Sequence, residues 1–374
     1  MYLSRRKLLA GLGAVALTTA LSASYSHDGT SAELSGMPPV HYVETNGIRM
    51  AVYEAGTGPT IVLLHGFPEL AYSWRNQISA LADAGYHVIA PDLRGYGRTD
   101  RPAAVEDYDL ANLTRDLVGL LDELDIERAV WMGHDWGGIL AWQMALFHEE
   151  RTLGVISITT PFIPHWHYWL HPEQLNGLAP AGFSPDPTID PVAQMRQIYS
   201  PDMYVLMIQD GEEADRLLSH DPARSFRTMV RKDVIAPADY FGLPAEYRQM
   251  AFFTPLGQPE AQMLGEEILN ADDLSYFASS FEETGFTPAL NWYRNLSRNW
   301  KAGLNVDQIV RVPSLMITAE NDVAFTPGMA EGMDEHVPDL ETVLIEGAGH
   351  WTLYEKPDEV SAAAISWLDR RIAQ

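Results

Sequence analysis

Residues 129–147, AVWMGHDWGGILAWQMALF, contain the feature that decides the fold: an apolar run, a Gly-x-Asp-x-Gly turn and a second, helical apolar run. A continuous apolar run is typical of a strand buried on both faces of a sheet. Gly133 and Gly137 lack side chains where two backbone segments must pass close together. The stretch therefore predicts a buried strand, a sharp turn at Asp135 and a helix that begins at Trp136.

The same kind of apolar run recurs along the chain, with helical patterns between the runs. The runs lie at residues 60–66, 86–93, 129–135, 153–160, 314–320 and 341–347, and a final helix is predicted from Pro357. Residues 41–56 alternate between apolar and polar side chains around Asn46-Gly47, which predicts a hairpin of two strands. Strands that alternate with helices form a mostly parallel sheet covered on both faces, so the predicted fold class is α/β.

The alternation of strands and helices stops between residues 162 and 312. This segment is rich in aromatic residues, Met and Pro, and its pattern predicts helices and loops. The runs at 314–320 and 341–347 need the earlier strands as partners, so the segment is predicted to be an insertion. We expect an α/β-hydrolase core at residues 40–161 and 313–374 and a mainly helical lid at residues 162–312.

The first 23 residues have the composition of an export signal. Arg5, Arg6 and Lys7 precede an apolar run from residue 8 to 21, and the basic pair resembles a twin-arginine signal. The run is shorter than the roughly 20 residues of a membrane-spanning helix, so no stable membrane anchor is expected. Residues 24–39 are predicted to be a flexible lead-in, and the protein is predicted to be exported to the periplasm or beyond.

The composition excludes several classes of function. Acidic residues outnumber basic ones by 51 to 25, and the formal net charge of −26 argues against nucleic acid or an anionic membrane as a partner. The chain has no cysteine, which excludes disulfides, thiolate chemistry and zinc–thiolate sites. His165 and His167 have no accompanying carboxylate pattern, so neither a metal ion nor a cofactor is predicted.

Asp135 occupies the position at which a nucleophile elbow carries its reactive side chain. Taken alone, the motif allows two interpretations: an attacking carboxylate, or a cap for the helix that begins at Trp136. Asp322 and His350 follow the last two predicted strands, and open α/β sheets build their sites at the carboxyl ends of strands. The order Asp135, Asp322, His350 is the nucleophile–acid–base order of α/β-hydrolases, which favours the first interpretation.

A carboxylate nucleophile suits one kind of substrate. Asp135 can attack an electrophilic saturated carbon without first losing a proton. The product is an ester, and His350, oriented by Asp322, can then activate a water to hydrolyse it. This chemistry fits carbons with a built-in leaving group, namely an epoxide oxygen or a halide.

Several motifs resemble those of the α/β-hydrolase-fold epoxide hydrolases, most closely the hydrolase domain of soluble epoxide hydrolase. They are HGFPE (65–69), GHDWGG (133–138), TTPFIP (159–164), NWYRN (291–295) and GHW (349–351), and the resemblance covers about residues 40–374. The resemblance implies that Tyr293 and Tyr204 donate hydrogen bonds to the epoxide oxygen. It also implies an oxyanion hole formed by the backbone N–H groups of Phe67 and Trp136. His134 is expected to hold the turn, and Phe162 and Trp351 are expected to line the substrate pocket.

Two further hypotheses stay open. GHDWGG is shared with haloalkane dehalogenases, so Asp135 could instead displace a halide. Some proteins of this fold are non-catalytic receptors that bind a small ligand under the lid. For the leading hypothesis the predicted partners are a small hydrophobic epoxide and water, and the pattern does not specify the oligomeric state.

Overall fold

The computed structural model describes residues 35–232, 235–257 and 265–372. The predicted export signal at 1–23 and the lead-in up to residue 34 lie outside these described residues. Within the same ranges, no helix is both long enough and apolar enough to cross a lipid bilayer.

The described strands form one sheet of eight strands. They are β1 (Val40–Thr45), β2 (Ile48–Ala55), β3 (Thr60–Leu64), β4 (His87–Pro91), β5 (Ala129–His134), β6 (Thr152–Ile158), β7 (Ser314–Ala319) and β8 (Leu340–Ile345). Their order across the sheet is β1-β2-β4-β3-β5-β6-β7-β8. The pairs β1–β2 and β2–β4 are antiparallel, and every pair from β4 to β8 is parallel. The predicted α/β class with a mostly parallel sheet is confirmed.

Helices cover both faces of this sheet and fill the segment between β6 and β7. In the described ranges the α-helices are α1 (Arg75–Asp83), α2 (Leu110–Glu123), α3 (Trp136–Phe147), α4 (Pro172–Leu175), α5 (Pro191–Met195), α6 (Tyr204–Gln209), α7 (Glu213–His220), α8 (Pro222–Met229), α9 (Pro237–Phe241), α10 (Ala271–Thr284), α11 (Thr287–Arg294), α12 (Leu296–Gly303), α13 (Thr352–Glu355) and α14 (Pro357–Arg371). Short 3-10 helices lie at Ala71–Trp74, Val105–Tyr108, Glu149–Arg151, Pro164–Trp166, Tyr168–Leu170, Ala245–Tyr247, Thr254–Gly257, Pro327–Ala330 and Met333–Glu335.

The hairpin between β1 and β2 turns at Asn46 and Gly47. Their φ angles are 44° and 77°, both in the left-handed region that a two-residue hairpin turn requires. Thr45 pairs directly with Ile48, so only these two residues form the turn. Asn and Gly tolerate positive φ better than other residues, which explains why this dipeptide fixes the position of the hairpin.

The central strands are buried on both faces. Leu64 and Trp131 pack into the apolar cluster that contains α2 and α3. Leu63 and Met132, their neighbours in sequence, pack into the cluster that contains α1 and α14. Successive side chains of a strand point to opposite faces. The apolar runs are therefore continuous because both faces of the sheet need apolar side chains.

The segment between β6 and β7 is anchored to the core by polar contacts. On α10, the buried Asp273 carboxylate accepts hydrogen bonds from Tyr72 Oη (2.9 Å) and Arg75 Nη2 (2.6 Å). On α11, Trp292 Nε1 donates to the carbonyl oxygen of Arg94 (3.1 Å). These contacts hold α10 and α11 over the carboxyl ends of the strands.

Candidate active site

The turn after β5 is built around a single residue. β5 ends at His134 and α3 begins at Trp136, so Asp135 alone reverses the chain, with φ 52° and ψ −121°. A Cβ atom on Gly137 would lie 1.9 Å from the carbonyl oxygen of Leu64, and one on Gly133 would lie 2.1 Å from that of Gly137. No residue with a side chain fits such spacing. The two glycines thus allow β5, α3 and β3 to approach closely enough to form this turn.

The Asp135 side chain makes its closest hydrogen bond outside the helix that it precedes. It makes no capping hydrogen bond to α3. Its Oδ1 instead accepts a hydrogen bond from the backbone N–H of Phe67 (2.8 Å), in the loop after β3. The side chain is buried, with the residue 8% exposed. This geometry argues against the helix-cap interpretation, because the carboxylate binds the loop after β3 and does not cap α3.

His350 and Asp322 lie beside this carboxylate, at the ends of β8 and β7. His350 Nε2 is 3.7 Å from Asp135 Oδ2, and His350 Nδ1 is 2.9 Å from Asp322 Oδ2. Asp322 is fully buried, and its Oδ1 accepts from the backbone N–H groups of Ala324 (2.8 Å) and Phe325 (2.9 Å). A carboxylate oxygen accepts, so His350 makes this contact with a proton on Nδ1, and its Nε2 is left to face Asp135.

Burial raises the pKa of the Asp135 carboxyl above its ordinary value. The His350 and His134 imidazoles oppose this rise, as do the backbone N–H groups of Phe67 and Trp136. The anion is therefore stabilised by fixed donors rather than by bulk water. A carboxylate held in this way has fewer solvent molecules to shed before it attacks.

A buried carboxylate–histidine pair connects three loops of the site. Glu69 Oε2 accepts from the backbone N–H of Gly66 (2.9 Å) and lies 2.8 Å from His134 Nδ1. His134 Nε2 lies 2.8 Å from the carbonyl oxygen of His350. Burial by itself would raise the pKa of Glu69, but the His134 ring and the Gly66 N–H lower it overall. The role of Glu69 was not predicted; its only signal in the sequence was its place in HGFPE.

Tyr204 on α6 and Tyr293 on α11 face the carboxylate from the helical segment. Their ring centroids are 5.7 Å apart, and the Tyr293 ring lies 4.9 Å from that of Trp136. Burial raises the pKa of both phenols, and the negative charge of Asp135 raises both further. Both hydroxyl groups therefore stay protonated and can donate hydrogen bonds.

A cavity of about 580 Å³ contains these groups. Its wall includes the predicted residues Asp135, Asp322, His350, Phe67, Tyr204, Tyr293 and Trp351, together with Tyr168, Trp169 and Phe325. Pockets for drug-sized ligands typically enclose 300–1,000 Å³, mostly with apolar and aromatic side chains. The cavity therefore suits a small, mainly hydrophobic molecule.

The structure places two of the predicted site residues outside this wall. Phe162 is buried against Trp142, with ring centroids 6.0 Å apart, and its backbone N–H donates to Met333 Sδ. The Trp136 ring packs edge-on against that of Tyr293, and a hydrogen bond from its side chain lowers the pKa of that phenol against the larger rise from burial. The backbone N–H of Trp136 stabilises the Asp135 carboxylate. Phe162 lies only a few residues beyond the end of β6. The family resemblance led us to expect Phe162 in the pocket wall, but its side chain packs into the core.

His165 and His167 lie in the helical segment, away from the carboxylate. Burial lowers the pKa of His165, and it lowers the pKa of His167 to about 4. Among the residues that the structure describes, no group of three His, Cys, Asp or Glu side chains is arranged to hold a metal ion.

His65 gives a prediction for pH. Its Nε2 accepts from the backbone N–H of Leu93 (3.0 Å) and its Nδ1 donates to the carbonyl oxygen of Gly66 (3.0 Å). Burial lowers the pKa of His65 to about 4. In the unfolded chain the imidazole has a pKa near 6.5, so its contribution to the free energy of unfolding is lost as pH falls from about 6.5 to about 4. We expect nitrogen NMR shifts to show a neutral His65 at pH 5; a ring protonated at that pH would contradict the prediction.

Comparisons with known proteins show the family of the chain. Residues 59–185 and 254–357 match the family model of the alpha/beta hydrolase fold. Epoxide hydrolase A of Mycobacterium tuberculosis is 39% identical over 89% of this chain and 98% of that protein. Bifunctional epoxide hydrolase 2 of Mus musculus is 37% identical over 87% of this chain and 54% of that longer protein.

A solved structure gives the same result. The crystal structure of epoxide hydrolase A from Mycobacterium thermoresistibile superimposes with a TM-score of 0.74 at 37% sequence identity, covering 89% of this chain and 98% of that one. Both mycobacterial proteins are more than 30% identical to this chain, and each of them aligns with it over 98% of its own length. The chain is therefore an enzyme of the α/β-hydrolase fold and belongs to the epoxide hydrolase family.

Proposed function

We propose that this enzyme converts a small hydrophobic epoxide to a vicinal diol through a covalent ester of Asp135. One observation carries the proposal: the two carboxylate oxygens of Asp135 face different partners. Oδ1 is bound by the Phe67 N–H, whereas Oδ2 lies 3.7 Å from the His350 imidazole. The three relatives described above are named as epoxide hydrolases, which supports the same substrate class.

In the first step Asp135 Oδ2 attacks an epoxide carbon. A new Oδ2–carbon bond forms as the bond from that carbon to the epoxide oxygen breaks, and the electron pair stays on the released oxygen. Tyr204 and Tyr293 line the same cavity and supply hydrogen bonds and a proton to this oxygen. The product of the step is an ester of Asp135 that carries a neighbouring hydroxyl group.

In the second step His350 removes a proton from water, and the hydroxide attacks Cγ of the ester. Negative charge then develops on Oδ1, which already accepts the Phe67 N–H at 2.8 Å and lies beside the Trp136 N–H. These donors need no rearrangement to stabilise the tetrahedral intermediate. Collapse of the intermediate breaks the Cγ–Oδ2 bond, and the released Oδ2 takes the proton of the added hydroxyl group. The diol leaves, and Asp135 is again a carboxylate, with one oxygen from water.

The two phenols favour an epoxide over a halide. An opening epoxide leaves an oxygen that stays attached to the substrate and needs a proton, whereas a departing halide does not. Burial and the charge of Asp135 keep Tyr204 and Tyr293 protonated, as donation requires.

Replacement of either phenol by phenylalanine is expected to slow ring opening. Loss of one donor to a developing negative charge costs roughly 10²-fold in rate, by analogy with oxyanion-hole donors. We therefore expect Tyr204→Phe and Tyr293→Phe each to slow ester formation by about 10²-fold and to leave ester hydrolysis unchanged. Rapid-quench mass spectrometry of the enzyme separates the two steps. Tyr42→Phe, at a position 40% exposed on β1, serves as the control; equal slowing of both steps would contradict the assignment.

Product analysis tests the substrate class directly. The enzyme should convert styrene oxide to phenylethanediol and should release no halide from a haloalkane of similar size. Halide release without diol formation would instead support a dehalogenase. Tight binding of the epoxide without turnover would support a receptor.

A further inference from the structure

Trp169 is the nearest hydrogen-bond partner that the structure gives to the Tyr204 hydroxyl group. It lies in the 3-10 helix Tyr168–Leu170, and its Nε1 is 2.9 Å from Tyr204 Oη. Both side chains contribute to the wall of the cavity that contains Asp135. Trp169 therefore contacts one of the two proposed donors at the atom that would react.

The position of the indole is fixed on several sides. Trp169 is only 5% exposed, and its carbonyl oxygen accepts a hydrogen bond from Tyr199 Oη (2.8 Å). Its ring packs edge-on against Tyr168 and Tyr204, with centroids 6.1 Å and 6.3 Å apart. Because the backbone and the ring are both held, the N–H direction is set before substrate binds.

The direction of this hydrogen bond restricts the phenol. An indole N–H can only donate, whereas a phenol oxygen can both donate and accept. Tyr204 Oη must therefore accept from Trp169, and its own proton cannot point along that line. The Tyr204 ring is confined as well, by Phe252 and Tyr293 at centroid distances of 5.2 Å and 5.7 Å. The Tyr204 hydroxyl group can therefore donate its proton to an acceptor in the cavity.

The same contact stabilises the oxygen after it has donated. Burial raises the pKa of Tyr204, and the Asp135 charge raises it further, whereas the hydrogen bond from Trp169 lowers it. The indole thus opposes the two effects that make proton transfer from this phenol difficult. A hydrogen bond to a charged oxygen is stronger than one to a neutral oxygen, so the contact strengthens as the proton leaves.

We infer that Trp169 is a positioning residue that directs the Tyr204 proton to the epoxide oxygen and stabilises the phenolate left behind. The inference rests on the function proposed above. As the carbon–oxygen bond of the epoxide breaks, the Tyr204 proton moves to the released oxygen, and Oη keeps the electron pair that it shared with that proton. The proton that His350 later takes from water restores Tyr204, so the cycle consumes one water and no other reactant.

A double-mutant cycle tests this inference. The enzyme, Trp169→Phe, Tyr204→Phe and the double variant are mixed with excess styrene oxide, and ester formation is followed by rapid quench and mass spectrometry. Trp169→Phe removes the N–H and keeps an aromatic ring. We expect it to slow ester formation by about threefold to tenfold, the effect of one typical hydrogen bond, without weakening substrate binding. In the Tyr204→Phe background the same change should have no effect on this rate, because the acceptor oxygen is gone.

The control and the isosteric variant separate this role from packing. Trp300→Phe removes an indole N–H that donates to the carbonyl oxygen of Pro187 (2.9 Å) in the same helical segment, and it should leave ester formation unchanged. If Trp169→Phe does not fold, benzothienylalanine at position 169 replaces the N–H by sulfur with nearly the same shape.

Two results would overturn the inference while leaving the proposed function intact. One is equal slowing by Trp169→Phe in both backgrounds, which would show a packing effect. The other is an unchanged rate in the Tyr204-containing enzyme. If Tyr204→Phe itself leaves ester formation unchanged, the proposed role of Tyr204 fails, and the inference fails with it.

Discussion

Replacement of Asp135 by asparagine is expected to lower the turnover of styrene oxide at least about 10⁴-fold, the range seen when a catalytic nucleophile is removed. Asparagine retains an oxygen that can accept the Phe67 N–H, which now binds Oδ1 at 2.8 Å. It also tolerates the positive φ of 52° at this turn. The variant should therefore fold and bind substrate, but its neutral amide is too weak a nucleophile to open the ring.

Diol formation and intact-protein mass measure this effect together. The variant should show neither turnover nor a mass increase after incubation with substrate. Asp210→Asn is a matched control, because Asp210 is an exposed carboxylate of the helical segment that pairs with Arg196. The control should retain full activity. Turnover by Asp135→Asn within about tenfold of the unaltered enzyme would exclude Asp135 as the nucleophile.

Replacement of His350 by glutamine has a different expected outcome. Ring opening should proceed, because the Asp135 carboxylate attacks without help from a base. Ester hydrolysis should slow by about 10²–10⁴-fold, the usual contribution of a general base. The enzyme should then accumulate as the ester, with a mass increase equal to that of one epoxide molecule and a burst of one equivalent per active site.

Time-resolved intact-protein mass spectrometry detects this accumulation. Digestion should place the added mass on the peptide that contains Asp135. His220→Gln, at an exposed position at the end of α7, should show no accumulation. A His350→Gln enzyme that turns over normally, or one that loses turnover without any trapped ester, would remove His350 from its role as base.

The sequence contains most of the information needed for the fold. The apolar runs predict the strands because each central strand is buried on both faces, and Asn46-Gly47 marks the hairpin because the turn requires positive φ. The turn at Asp135 can also be predicted from the sequence. Gly133 and Gly137 stand where any Cβ atom would collide with backbone, so the motif reports a steric requirement rather than a general preference.

The side-chain contacts between distant segments could not be predicted in this way. His134 links Glu69, 65 positions earlier, to the carbonyl oxygen of His350, 216 positions later. Trp169 and Tyr204 are 35 residues apart, with no periodic pattern to relate them. Phe162 was expected in the pocket wall from the family resemblance, but its ring packs against Trp142. The first of these contacts depends on how the loops after β3, β5 and β8 meet, and the second depends on how the helical segment folds.

The central claim is that the oxygen of water enters the enzyme before it enters the product. A single turnover in water enriched in ¹⁸O, with enzyme in excess over styrene oxide, tests this directly. Peptide mass analysis should find the label in the Asp135 carboxylate, and the diol from that first turnover should be unlabelled. A labelled diol with unlabelled Asp135 would mean that water attacks the epoxide directly, and the ester mechanism would be wrong.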